Sequence, residues 1–278
     1  MDNAPKFNTP PPKTSIFLLS LPVSRVLLVT INREQQRNSV PVVGHSEGLQ
    51  IWHWFDDEPS LRVGIVTGKG TIAFCAGADL VEQLDPPPQY NFASPVPEDG
   101  FMGLSLRRGK KPVIAAVNGV AFGGGFEACL NCDLIVSSPE AEYALPEVCI
   151  GAFAAGGGLA HIFRACGLQL GSELVLTGRR ISAQEAKGLR FVNVISKSPE
   201  TVVDEAIKLA TRIVSVSPDS VVASRYGLNE ALEVDTIERH TRRTTKQYGR
   251  ALMRGKNYRI GLEAFANKKK PKWVDSKL

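Results

Sequence analysis

Val113-Ile-Ala-Ala-Val-Asn-Gly-Val-Ala-Phe-Gly-Gly-Gly-Phe-Glu127 lies near the middle of the 278-residue chain. Its first five residues are apolar and partly β-branched, as a buried strand requires, and three consecutive glycines then open into Phe-Glu-Ala-Cys-Leu, the start of a helix. A second stretch repeats the plan: Val63-Gly-Ile-Val-Thr-Gly-Lys-Gly-Thr-Ile-Ala-Phe-Cys-Ala-Gly-Ala-Asp79. In both, residues without bulk stand where a helix begins. The first backbone N–H groups of a helix have no partner within it, and they carry the positive end of its dipole. Two such groups facing one another form an oxyanion hole, each good donor lowering a barrier by about 2.7–4 kcal/mol. Close packing of a helix on a strand would explain the glycines if they stood alone.

They are accompanied by two carboxylates. Glu127 falls in the first helical turn among Phe126, Ala128 and Leu130, where an unpaired charge is costly without a task. A helix-dipole acid would explain Glu127 but not its companion Glu147, which follows in Tyr-Ala-Leu-Pro-Glu after a helix and a returning strand. That return can bring the pair together.

Outward from this centre, Val26 to Ile31 and Leu134 to Ser137 are further β-branched runs between helical segments, an α/β pattern. Ile16 to Val23 and Val26 to Ile31 read as two strands about a turn. Residues 1–13, rich in Pro and Asn, read as a mobile arm before a core ending at 199. Beyond Pro199 the spacing predicts helices over 201–214, 219–233 and 235–253, within a helical region of 200–278. The proline-laden segment between Leu84 and Gly100 reads as a surface loop, either a lid or a tolerated insertion. Arg239, His240, Arg242, Arg243, Lys246 and Arg250 form either a solvated face or an anion or subunit contact.

A hydrophobic content of 43% and a charged content of 22% exclude wholesale disorder. The net charge of +5 is weak for nucleic acid but suits a polyphosphorylated small molecule. No apolar run reaches the roughly 20 residues of a membrane span. Five cysteines in apolar or glycine-rich surroundings suggest buried thiols in a reducing compartment. Cys129 and Cys132 form a single Cys-x-x-Cys with no second pair, so no metal is assigned. The final Ser276-Lys277-Leu278 matches the tripeptide read by the peroxisomal import receptor, so the protein is expected in that organelle.

Two rival motifs fail on context. Gly44-His45-Ser46-Glu47-Gly48 spells a nucleophile elbow, yet only about 45 residues precede Ser46, too few for the strands an elbow needs. Gly68-Lys69-Gly70-Thr71-Ile72-Ala73 spells a dinucleotide fingerprint, but no helix and acid-tipped strand follow it.

The run from Lys110 to Val136 resembles the signature of the enoyl-CoA hydratase/isomerase (crotonase) family. So do Val29-Thr-Ile-Asn-Arg with Asn38, Ala73-Phe-Cys-Ala-Gly-Ala-Asp, Pro146-Glu147, Leu176-Thr-Gly-Arg-Arg-Ile-Ser-Ala-Gln-Glu-Ala and Gly261-Leu-Glu-Ala-Phe-Ala-Asn-Lys-Lys-Lys-Pro. The resemblance covers about residues 20–272. It implies an α/β fold with a ββα spiral core and a helical C-terminal trimerisation region, assembled as a homotrimer or dimer of trimers. It further implies that the N–H groups of Ala78 and Gly124 hold a thioester oxygen while Glu127 and Glu147 flank the acyl double bond. Arg37, Asn38, Ala76, Asp79, Phe265 and Lys268 are then expected around the acyl-CoA. Coenzyme A enters with the substrate, and no resident cofactor is implied. Two glutamates favour hydration of a trans-2-enoyl-CoA, as in fatty-acid β-oxidation, or the reverse dehydration. A double-bond isomerase, a hydroxycinnamoyl-CoA hydratase-lyase, a carnitinyl-CoA dehydratase-like enzyme and an inactive acyl-CoA-binding subunit are the alternatives. The chain departs from the family pattern in having Glu34 after Arg33, Val81 where a lysine is usual, and Ala154-Ala-Gly-Gly-Gly158 after the second glutamate.

Overall fold

The structure, a computed structural model, describes residues 7–86, 98–233 and 236–278. The core of the proline-rich segment expected as a loop lies outside these residues.

The chain enters through an antiparallel hairpin, β1 (Phe17–Val23) and β2 (Val26–Ile31), followed by helix α1 (Val42–Asp57). A strand–strand–helix unit then recurs. It runs β3 (Val63–Gly68), β4 (Ala73–Cys75) and α2 (Leu80–Leu84), then β5 (Val113–Val117), β6 (Val120–Phe122) and α3 (Gly124–Asn131). The third copy is β7 (Leu134–Ser137), β8 (Glu142–Ala144) and, after a 3-10 turn at Pro146–Ile150, the long α4 (Gly158–Thr177). Next come β9 (Ile181–Ser182), α5 (Ala183–Gly188) and β10 (Val194–Ile195).

Each unit sends its first strand to one sheet and its second to another, which makes the path a spiral. The larger sheet has the order β1-β2-β3-β5-β7-β10, parallel from β2 onward, and the smaller has β4-β6-β8-β9. Strands covered on both faces lack polar alternation, and β3 and β5 are buried at every position. Their successive side chains serve two cores. Val113, Ala115 and Val117 join the cluster of Trp52 and Phe55 on α1, whereas Ile114 and Ala116 point the other way with Val26, Val63 and Ile65.

The second core is closed by α6 (Val202–Val214), whose Val202, Ala206 and Ala210 recur every four residues on one stripe. The helical region expected over 200–278 thus packs against a face of the main sheet from its first helix. Beyond it stand α7 (Pro218–Glu230), α8 (Ile237–Thr244), a wide turn over Thr245–Gly249, α9 (Arg250–Arg254) and α10 (Lys256–Ala266). The last residues return to the core: Asp275 pairs with Arg25, and Arg62 Nη2 donates to Val274 O at 3.2 Å.

The N-terminal arm is corrected from Phe7 onward. The Phe7 ring packs edge-on against Trp54 at 5.2 Å, and Trp54 Nε1 donates to Thr9 O at 3.0 Å. Both rings are half-buried, and the contact holds Phe7 and Thr9 against α1. Among the cysteines, Cys75 and Cys129 are buried, with burial pushing the Cys75 thiol up to about 12, but Cys149 is exposed against expectation. It follows Glu147 in a turn that faces outward.

Candidate active site

Unit one reaches the site through a pinned crossover. Asn38 Nδ2 donates to Ala73 O at 2.7 Å and to Lys69 O at 3.0 Å, while Asn118 Nδ2 donates to the same Ala73 O and to Gly70 O. Both amides thus fix the entry to β4. After Cys75 the backbone swings through Gly77 at φ +97°, a conformation that side chains resist. Gly77 O accepts from Val40 N–H and Asp79 N–H donates to Val40 O, both at 2.9 Å. This parallel bridge uses the residues either side of Ala78 and leaves the Ala78 amide facing away from Val40. Asp79 caps α2 and is held by Arg33 at 2.9 Å, which depresses its pKa against the opposing effect of burial.

Unit two comes alongside. A Cβ on Gly77 would lie 3.1 Å from Phe122 O and 3.7 Å from Gly124 N, so only glycine permits the contact. Gly124 is the first residue of α3 and no side chain caps that helix. Its amide is one of the donors a helix leaves over. Ala78 and Gly124 are both partly exposed, as a hole open to a ligand must be.

The carboxylates converge on the same place. Gly123 N–H donates to Ala144 O at 3.0 Å, tying β8 to the head of α3. Pro146 then starts the 3-10 turn that hangs Glu147 over the glycines, and a Cβ on Gly123 would meet Glu147 Oε1 at 3.2 Å. Glu147 Oε2 is buried with no hydrogen-bond partner among the described residues. Desolvation, with a further contribution from the Glu127 charge, pushes Glu147 up to about 7. Glu127, 4% exposed on α3, is also raised by burial, but backbone N–H groups of Gly158 and Gly156 oppose the rise. The Gly158 amide donates to Glu127 Oε1 at 2.9 Å. One carboxyl is therefore poised to hold a proton and the other is anchored by donors that favour its anion.

The structure thus brings Ala78, Gly124, Glu127 and Glu147 together. It places Arg37 exposed beside Ala76, whose amide donates to Arg37 O at 3.1 Å. Asn38, expected at the acyl-CoA, is corrected to an architectural role: it is fully buried and its side-chain donors and acceptor are spent on backbone. Phe265 is 87% exposed near the end of α10, Lys268 is exposed just beyond, and neither hydrogen-bonds to the four central residues. Sequence reasoning missed the clamp on Glu127. The visible signal was the glycine run 156–158, where a Cβ on Gly156 would fall 2.7 Å from Glu127 Oε2.

The rival motifs dissolve in three dimensions. Ser46 lies inside α1, donating to Val43 O at 2.9 Å, and Gly68-Lys-Gly70 closes a turn between β3 and β4.

A family profile described as enoyl-CoA hydratase/isomerase matches residues 23–276. The chain belongs to that family. Among the relatives of this family member, the mevalonyl-coenzyme A hydratase of Beauveria bassiana is 40% identical over 98% of this chain and 99% of its own. The mevalonyl-coenzyme A hydratase of Aspergillus fumigatus is 39% identical over 94% and 96%. The crystal structure of an enoyl-CoA hydratase from Mycobacterium tuberculosis superposes with a TM-score of 0.85 at 31% identity, covering 94% of this chain and 99% of that one. The fold is the crotonase fold. This member of the family is an enzyme that adds water to an acyl-CoA thioester or removes it.

Proposed function

We propose that the enzyme interconverts mevalonyl-CoA, a 3-hydroxy-3-methylacyl thioester, and the 2-enoyl thioester formed when it loses water. The observation that carries the chemistry is the Glu147 carboxyl, with one oxygen buried and unpartnered, suspended over Gly123 beside the Gly124 amide. Near full-length similarity to two proteins named for mevalonyl-CoA supports the branched acyl group over the straight chains of β-oxidation.

In dehydration, ionised Glu147 removes the proton from the α-carbon. The charge that develops on the thioester oxygen is taken by the Ala78 and Gly124 N–H groups. Protonated Glu127 then delivers its proton to the departing 3-hydroxyl. Hydration reverses each step: Glu127 accepts a proton from the water attacking the β-carbon and Glu147 protonates the α-carbon. Two protons move and no electrons, so the reaction balances with coenzyme A as carrier and no resident cofactor. The coenzyme is held near Arg37, Ala76 and Asp79.

Assembly as a homotrimer or dimer of trimers is supported by the apolar side chains Phe163, Leu168 and Leu176 standing exposed along α4, near exposed Ile150 and Phe153. Peroxisomal import rests on Ser276-Lys277-Leu278. In the folded chain Lys277 N–H donates to Asp219 Oδ1 at 3.3 Å, so a receptor would have to lift the tail.

The test is mass spectrometry of products from mevalonyl-CoA, crotonyl-CoA and a 3-enoyl-CoA. Loss or gain of one water on the branched pair supports the proposal. Turnover of crotonyl-CoA alone would assign a straight-chain hydratase, and double-bond migration without mass change an isomerase.

A further inference from the structure

The Gly44-His45-Ser46-Glu47-Gly48 stretch plays no nucleophilic part, yet it is built against something. His45, 6% exposed, accepts a hydrogen bond at Nδ1 from Met102 N–H at 3.2 Å, and its ring meets Phe101 edge-on at 4.9 Å. One turn along, a Cβ on Gly48 would fall 2.2 Å from Met102 O. The stretch is a seat for the 3-10 turn at Phe101–Gly103.

That turn is under strain. Met102 is buried with φ +55° and ψ 24°, a left-handed conformation that a side-chain-bearing residue resists and that persists only when neighbours hold it. Its far side reaches the catalytic helix. The Phe101 ring lies so close to Gly124 that a Cβ there would be 2.3 Å from Phe101 Cδ2. Ser105 Oγ accepts from Phe101 N–H at 2.9 Å and borders the Gly156 contact of the Glu127 carboxylate. Asn131, at the other end of α3, donates to Leu104 O at 2.7 Å. The 101–105 segment is therefore a wedge between α1 and α3, fastened on the first side by His45.

We propose that His45 is a positioning residue for the oxyanion hole: through Met102 and Phe101 it sets where the Gly124 amide stands. This rests on the assignment of Gly124 as a thioester-oxygen donor. Displacing such a donor weakens it only when charge develops, so the loss falls on kcat more than on substrate binding.

The experiment compares wild type, His45→Leu, His45→Asn and Phe101→Leu for kcat and KM. It also follows the ultraviolet enolate band of bound acetoacetyl-CoA, a β-ketoacyl thioester whose enolate presents a negative oxygen to the hole. Asparagine Oδ1 hangs from the backbone by the same number of bonds as histidine Nδ1 and restores the acceptor, which leucine cannot. His45→Leu should lower kcat about tenfold or more with KM within about twofold, and it should weaken the enolate band. His45→Asn should recover most of both. Phe101→Leu removes the ring against Gly124 while leaving His45 in place, and should reproduce the leucine variant even if His45→Leu fails to fold. Retention of kcat and the band in Phe101→Leu, or equal losses in His45→Asn and a folded His45→Leu, would overturn the proposal. Absence of the band in active wild type would instead overturn the oxyanion-hole assignment itself.

Discussion

Replacing Glu147 with glutamine should stabilise the protein at alkaline pH while abolishing its activity. Burial raises the Glu147 carboxyl from its ordinary 4.5 to about 7. At 1.36 kcal/mol per pH unit this corresponds to about 3 kcal/mol, and partial exposure to solvent reduces it to about 1.5 kcal/mol. Its sign follows from proton binding. Between pH 4.5 and 7 the folded chain retains a proton that the unfolded chain has lost, so this group makes stability fall as pH rises through that window. Below 4.5 both states are protonated and the penalty vanishes; above about 7 it is complete. Glutamine is never ionised and escapes it. Urea unfolding of wild type and Glu147→Gln at matched protomer concentration would measure this, since assembly also contributes to apparent stability. The difference between the two proteins should shift by about 1.5 kcal/mol in favour of the variant from pH 4.5 to pH 8. Packing changes are the same at both pH values and cancel. A difference independent of pH would refute the claim that the unpartnered, desolvated carboxyl carries strain for the sake of proton transfer.

Other outcomes follow from the same geometry. Both directions need one proton on the Glu127–Glu147 pair, and the reaction itself takes up none, so kcat/KM for hydration and for dehydration should fall together as pH rises past about 7; a pH profile flat from about 6 to 9 in either direction would contradict the assignment. Gly124→Ala places a methyl against the Phe101 ring and should cost about 10²–10³ in kcat by displacing one donor, as steady-state kinetics would show. Glu127→Gln should lower kcat by about 10²–10⁴ while acyl-CoA binding measured by calorimetry persists. Asn38→Ala should destabilise by about 2–3 kcal/mol in urea, because buried carbonyls lose their donors, with KM nearly unchanged.

Much of this site was legible because its chemistry uses backbone. Oxyanion donors need residues that let the chain approach closely, and Gly77, Gly123 and Gly124 advertise that need without any neighbour being known. Glu127 stood out as a charge in an apolar helix. Asn38 was misassigned because a polar side chain near a motif looks the same whether it will face a ligand or two backbone carbonyls. The clamp of Gly156 and Gly158 on Glu127 joins residues about thirty positions apart, and nothing local dictates that pairing.

From the order of residues alone came the α/β architecture, the paired glycine-led helix starts and the two acids, because strand burial, turn conformation and the cost of a lone charge are local properties. Folding in three dimensions set the different surroundings of the two acids, since desolvation acts on both while the Gly158 donor from α4 reaches only Glu127. It also seated His45 against the Phe101–Gly103 turn, laid α6 over the second face of the main sheet and returned the tail from Trp273 onward to Arg62. These are long-range contacts, and their partners are chosen by packing.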